Sequence, residues 1–193
     1  SAPDNRFGSP MFSYGHRNPQ GIDWHPVTGD LWESEHGPSG NDEINVIQSG
    51  ANYGWPDVQG SASAAGMQSP IVFYSSTIAP SGIAYRGQRI PQFANNLFVA
   101  TLRGTHLLRL TTDARRVVTQ ERLLDGTFGR LRDVVTGPDG YLYFCTNNRD
   151  GRGNPVAGDD RVLRKFRPLS CLRAAGAEGA EKSVYAETQR SGD

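Results

Sequence analysis

Three short runs hold the residues best equipped for chemistry. Near the start, Gly15-His16-Arg17-Asn18-Pro19-Gln20-Gly21 sets an Arg-Asn pair directly before a proline. The residue before proline is held extended, so the pair projects from the mouth of a strand into loop space. Arg17 can there pair with a neighbouring carboxylate or meet a ligand, and spacing does not separate the two. Further on, Gly37-Pro38-Ser39-Gly40-Asn41-Asp42-Glu43 packs carbonyls and carboxylates into one loop, the donor set a hard cation such as calcium takes. It lacks the alternating acids of an EF-hand loop, and an acidic turn without a metal is the commoner use of such a run. Finally, Gly129-Arg130-Leu131-Arg132-Asp133 spaces two arginines two residues apart. On a regular strand they share one face, where their guanidinium forks can grip carboxylates or simply face water.

Composition limits what these runs can serve. The chain has 193 residues, and 20 Lys+Arg balance 20 Asp+Glu. That balance removes the basic footprint of a general nucleic-acid binder. No apolar run approaches the roughly 20 residues of a membrane span. The opening SAPDNRFGSP lacks the charged-then-apolar order of a secretory signal. The expectation is a soluble chain with no nucleic-acid partner and no membrane span. Cys145, in an apolar run, reads as a buried thiol and Cys171 as an exposed one; neither has zinc-site spacing, and a disulfide between them stays open. His16, His25 and His106 sit at turn or strand positions, where imidazoles are usually structural, and His36 flanks the 37–43 loop.

The elements that must position these residues come from a repeat. GIDWHPVTGDLWESEHG (21–37) and RDVVTGPDGYLYFCTNN (132–148) share one order: apolar strand, Pro/Gly turn, alternating strand opening on Leu. SGIAYRGQRIPQFANNLFVAT (81–101) is a looser third copy with a longer turn. Proline fixes one corner of such turns, and Gly or Asn tolerates the positive φ of a hairpin. Further strands are predicted over 43–48, 106–112, 117–124 and 161–167. Repeats of roughly 40–60 residues with about four short strands each mark β-propeller blades. The fold class expected is therefore all-β, about three propeller blades over residues 1–168. Three blades do not close a ring, so further blades or a second copy are expected partners. The stretch 169–193, small and charged with few apolar anchors, is expected to be a disordered low-complexity tail.

The motifs GHRNPQG, EHGP with DEIN, and GANYGWP, followed by TIAPSG (77–82), NNLFVATLRG (95–104) and GRLRDVVTGPDG (129–140), closely resemble the soluble quinoprotein glucose/sorbosone dehydrogenases. The resemblance covers about residues 12–167 and points to the C-terminal half of that family's six-bladed propeller. It implies an oxidoreductase that uses pyrroloquinoline quinone and calcium to oxidise the anomeric hydroxyl of aldoses to lactones. Carried across residue by residue, it places Arg17, Asn18, Arg130 and Arg132 against the quinone, which bears three carboxylates. Arg103 falls where some members have Lys, and Thr77 and Tyr74 fall in a loop used around the cofactor and sugar. The carbonyls of Gly37 and Pro38 match ligands of the cofactor calcium, while Glu43 and the Tyr53 carbonyl match a second, structural calcium. The family's general base is a histidine in an earlier blade that none of the four histidines here matches, so no base is assigned. The resemblance also implies a periplasmic or secreted location. A non-catalytic propeller used as a binding module is the competing class, since fold alone does not fix activity, and a truncated product without function of its own is a third. A quinone titration of arginine variants separates an enzyme from a module.

Overall fold

The computed structural model describes residues 7–85 and 91–165. The strands are β1 Pro19–Trp24, β2 Leu31–Glu35, β3 Asp42–Ile47, β4 Val72–Tyr74, β5 Pro80–Tyr85, β6 Asn96–Thr101, β7 Leu107–Asp113, β8 Arg116–Leu123, β9 Leu131–Thr136, β10 Leu142–Thr146 and β11 Val162–Lys165. They form three antiparallel sheets in sequence order: β1-β2-β3-β4, β5-β6-β7-β8 and β9-β10-β11. The first strand of each sheet lies beside the first strand of the next, β1 against β5 and β5 against β9. Consecutive up-and-down sheets with their first strands side by side are propeller blades.

The three copies of the repeat are the β1–β2, β5–β6 and β9–β10 pairs, each antiparallel. In the first, His25 closes the turn: its Nδ1 accepts the N–H groups of Val27 and Thr28 at 3.2 and 3.1 Å. In the third, Asp139 Oδ1 accepts the Tyr141 N–H at 3.1 Å and Gly140 takes φ +75°. Strand β4 was not anticipated. It makes Tyr74 a strand residue whose hydroxyl donates to Gln120 of β8 at 2.9 Å, instead of a loop residue. The expected strand 161–167 is described as Val162–Lys165. Its last residues, Cys171 and the stretch 169–193 lie outside the described residues.

Two cores fill the spaces between blades. Trp32, Ile44 and Val46 of the first blade meet Ile83, Tyr85, Leu97, Val99, Leu108 and Leu110 of the second. Ala84, Phe98, Ala100, Leu107 and Leu123 meet Leu131, Val134, Leu142, Phe144 and Leu163 of the third. Strand β6 feeds both cores because successive side chains point to opposite faces. Each such large side chain contributes roughly 1.5–3 kcal/mol when fully buried, so burial is what seats blade on blade.

Polar pins fix the blades lengthwise. Ser34 Oγ donates to the Ser81 carbonyl at 2.7 Å, and Ser81 Oγ reaches the Leu131 carbonyl at 3.1 Å. The Tyr85 N–H donates to Asp23 at 2.6 Å, and Thr136 Oγ1 donates to the Tyr85 carbonyl at 2.8 Å. The inner strands approach so closely that a Cβ on Gly82 would run into the Asp133 carboxylate.

Candidate functional site

Antiparallel connectivity brings particular loops to one end of the sheets. The segment before β1 and the β2–β3, β4–β5, β6–β7, β8–β9 and β10–β11 connections all emerge there. Arg17, Asn18, Gly37, Pro38, Thr77, Arg103 and Arg130 are therefore gathered from distant sequence onto one end.

Asp42, first residue of β3 and fully buried, organises this end. Its Oδ2 accepts the Thr77 hydroxyl at 2.7 Å and the Ile78 and Ala79 N–H groups at 2.8 Å each. Its Oδ1 accepts the Gly37 N–H at 3.1 Å. The carboxylate thus holds the 37–41 loop and the 77–79 loop together. It was not among the sequence candidates, although it sits inside the acidic run that was. The 37–41 loop is so tightly folded that a Cβ on Gly37 would meet the Gly40 carbonyl. With Asp42 consumed by four donors, the loop has its carbonyls, and not this carboxylate, to offer a cation. That donor set fits the ligands expected at Gly37 and Pro38.

Arg17, Gly37, Pro38, Glu43 and Tyr53 line one cavity of about 10 Å³ together with Glu35, Gln59 and Trp55. The guanidinium of Arg17 donates to the His36 carbonyl at 3.0 Å and lies 5.4 Å from the Trp55 ring centre. Its backbone N–H and that of Asn18 donate to Glu35 Oε2 at 2.8 and 3.3 Å. Glu43 accepts the Gly60 N–H at 2.6 Å, and burial with Glu35 nearby pushes its carboxyl above the usual range. The cavity is about one ion or water in size. Buried Gln59 Oε1, which also borders it, has no partner among the described residues. The four positions expected to ligate calcium, Gly37, Pro38, Glu43 and Tyr53, are thus brought to one cavity.

His36 sits at the centre of the loop cluster with Nε2 2.7 Å from the Pro80 carbonyl. A carbonyl only accepts, so this nitrogen carries the proton. Burial holds the ring below the usual imidazole range, helped by the positive charges of Arg132 and Arg17.

The two arginines of Gly-Arg-Leu-Arg-Asp do not lie on a regular strand, as their spacing suggested. β9 begins at Leu131, and its pairing slips so that Cys145 faces Asp133 while Thr146 faces Leu131. Arg132 is the extra residue of a bulge, and bulges re-aim side chains. Arg130, 8% exposed, is held by Asp150 at 2.7 Å and by the Asn147 and Leu102 carbonyls at 3.3 and 3.5 Å. It lines a cleft of about 390 Å³ with Leu102, Arg103, Thr105, Arg152 and Arg161. Exposed Arg103 is set by its backbone N–H to the Ile78 carbonyl at 3.1 Å, directly beside the loop that Asp42 holds. Arg132 is exposed, and neither it nor Arg17 or Arg103 forms an ion pair among the described residues. The sequence candidates thus fall into a cation-type group around residues 37–53 and a basic group around 103–132, joined through His36 and Asp42.

The chain as a whole resembles known proteins. The family model described as Glucose / Sorbosone dehydrogenase matches residues 2–162. Aldose sugar dehydrogenase YliI of Escherichia coli (strain K12) is 37% identical over 156 residues, covering 73% of this chain and 42% of its own length. The PQQ-bound aldose sugar dehydrogenase of Streptomyces coelicolor superposes with TM-score 0.75 at 40% identity, covering 84% of this chain and 47% of that one. The soluble aldose sugar dehydrogenase of Escherichia coli in its apo form superposes with TM-score 0.68 at 36% identity, covering 75% and 47%. The chain spans less than half the length of these relatives.

Proposed function

Because the chain belongs to the glucose/sorbosone dehydrogenase family, we propose that it carries the cofactor-holding end of an oxidoreductase converting aldoses to lactones at C1. Bound there, pyrroloquinoline quinone would supply the acceptor for a hydride from C1, and calcium would supply Lewis acidity toward its carbonyl. The chain's residues bind and orient. Arg132, together with Arg130, which also pairs with Asp150, addresses the carboxylates of the cofactor, since a guanidinium matches a carboxylate in both charge and shape; Arg17 contacts the quinone, and Arg103 stands near its carbonyls. Asn18 and Thr77 border it, and Asp42 fixes Thr77 by accepting the hydrogen bond of its hydroxyl. The Gly37 and Pro38 carbonyls hold the cofactor calcium; Glu43 and the Tyr53 carbonyl hold a second, structural one. No histidine of this chain is assigned to receive the hydroxyl proton.

One observation carries the reading. Three exposed guanidinium groups without ion-pair partners among the described residues stand at the sheet end that also presents the carbonyl loop of residues 37–41. The proposed domain is the partial propeller of residues 1–168. The proposed location is periplasmic or secreted, where calcium is available. Among the described residues no helix is long and apolar enough to cross a membrane.

The test is a quinone titration in the presence of calcium, followed by a dye-linked assay on glucose and other aldoses. Arg132→Ala, which breaks no ion pair among the described residues, is expected to weaken quinone binding about tenfold, or about 1.4 kcal/mol. If Arg130→Ala and Arg132→Ala both bind as the parent does, these arginines are surface charges and the binding-module class gains. Quinone-dependent turnover by this chain alone would show that it contains a base after all.

A further inference from the structure

A second cluster lies on the buried face of β2 and β3, next to the cavity that Glu35 shares with the carbonyl loop. Here Glu33 pairs across the strands with Asn45, and Glu35 with Glu43. The loop carrying His16 folds over them because residues 12–15 bond to the 50–55 segment, for example Tyr53 N–H to the Tyr14 carbonyl at 2.9 Å. One nitrogen of His16 and one carboxylate oxygen from each of Glu33 and Glu35 lie within 4.8 Å of one another. His16 Nδ1 is 3.7 Å from Glu35 Oε1.

Three buried atoms in this cluster have no hydrogen-bond partner among the described residues: His16 Nδ1, Glu33 Oε1 and Asn45 Oδ1. Glu33 is 2% exposed and Asn45 1%. Leaving such atoms unpaired is costly, and the unpaired His16 and Glu33 atoms, in one cluster with Glu35, mark a place for a ligand. The Asn45 amide already bridges the acids, its Nδ2 donating to Glu33 Oε2 at 3.1 Å and Glu35 Oε1 at 3.2 Å. Burial and the charge of Glu35 push the Glu33 carboxyl well above the usual range, as expected where positive charge is wanting.

We propose that His16, Glu33 and Glu35 bind one divalent cation of the zinc class. Calcium takes oxygen ligands, whereas an imidazole nitrogen with two carboxylates suits a first-row metal. Asn45 Oδ1 completes the set once the amide turns over. The imidazole is already oriented: Nε2 contacts Ser13 Oγ at 2.9 Å, and the ring stacks on Tyr53 with centres 4.5 Å apart. An outer partner on the second nitrogen is what metal-bound histidines have. The ion has a structural role. Glu35 Oε2 holds the N–H groups of Arg17 and Asn18, so a metal on Oε1 anchors the segment that presents both.

The experiment is calorimetric titration of Zn²⁺ into chelator-treated chain with excess Ca²⁺ present to fill the oxygen-only sites. One Zn²⁺ per chain is expected. Glu33→Gln and His16→Ala each weaken it more than about tenfold, and Ser13→Ala, which touches only the outer partner, weakens it about tenfold. A measurement on the parent guards against variants that fail to fold: Co²⁺ should give contact-shifted proton signals from the His16 ring. Absence of Zn²⁺ binding by the parent, affinities unchanged in Glu33→Gln and His16→Ala, or Co²⁺ shifts on other histidines alone would overturn the proposal. None of these readouts requires quinone or sugar.

Discussion

Asp42 uses both carboxylate oxygens to hold two loops that carry candidate ligands, and it does so at zero exposure. Hydrogen bonds to a buried charge are worth about 1.5–3 kcal/mol. Asp42→Asn replaces an acceptor with a donor that faces N–H groups, so it is expected to cost roughly 3 kcal/mol in urea unfolding and to lose calcium-dependent quinone binding. A loss under about 1 kcal/mol would show that the loops are held by other contacts. Arg17 and Arg132 were legible as candidates because their motifs are specific. Asp42 was hidden because an acid in an acidic loop reads as solvated until its donors are known. Glu33 and Glu35 were hidden for a related reason: in Leu-Trp-Glu-Ser-Glu the alternation suggests a wet face, and only the overlying 12–16 and 50–60 segments bury it.

Among the elements, the hairpins of the repeat were readable from turn chemistry, since proline and glycine fix φ locally. The bulge in β9 was not, because a pairing slip is a property of two strands and not of either one. It decides where Arg132 points and so separates Arg130, locked on Asp150, from its neighbour. The packing between first strands is likewise a two-element property. Gly82→Ala is expected to destabilise the chain by about 1–3 kcal/mol through overpacking against Asp133. Thermal or urea unfolding checks this, and an unchanged midpoint would mean that the inner strands can separate without cost. Strand β4, three residues long, carried too little pattern to be seen, yet it turns Tyr74 toward Gln120.

At the scale of the whole molecule, the proposed cofactor site draws Arg17 from the first blade, Arg103 from the second and Arg132 from the third. A ligand that spans blades binds only their folded arrangement, so it stabilises by mass action, about 2.7 kcal/mol at a hundredfold excess over its dissociation constant. Quinone with calcium together are expected to raise the melting temperature in scanning fluorimetry, and a calcium chelator to reverse most of the gain. A melting temperature indifferent to both would remove the site from the blade junctions. The all-β class, the three repeats and the family were set by sequence, because turn residues, strand alternation and contiguous motifs are local and survive being read in one dimension. What only the tertiary structure decided is which acids are buried, which arginine is committed and which is free, and which loops meet. Those depend on desolvation and on contacts between residues far apart in the chain, and no local pattern encodes them.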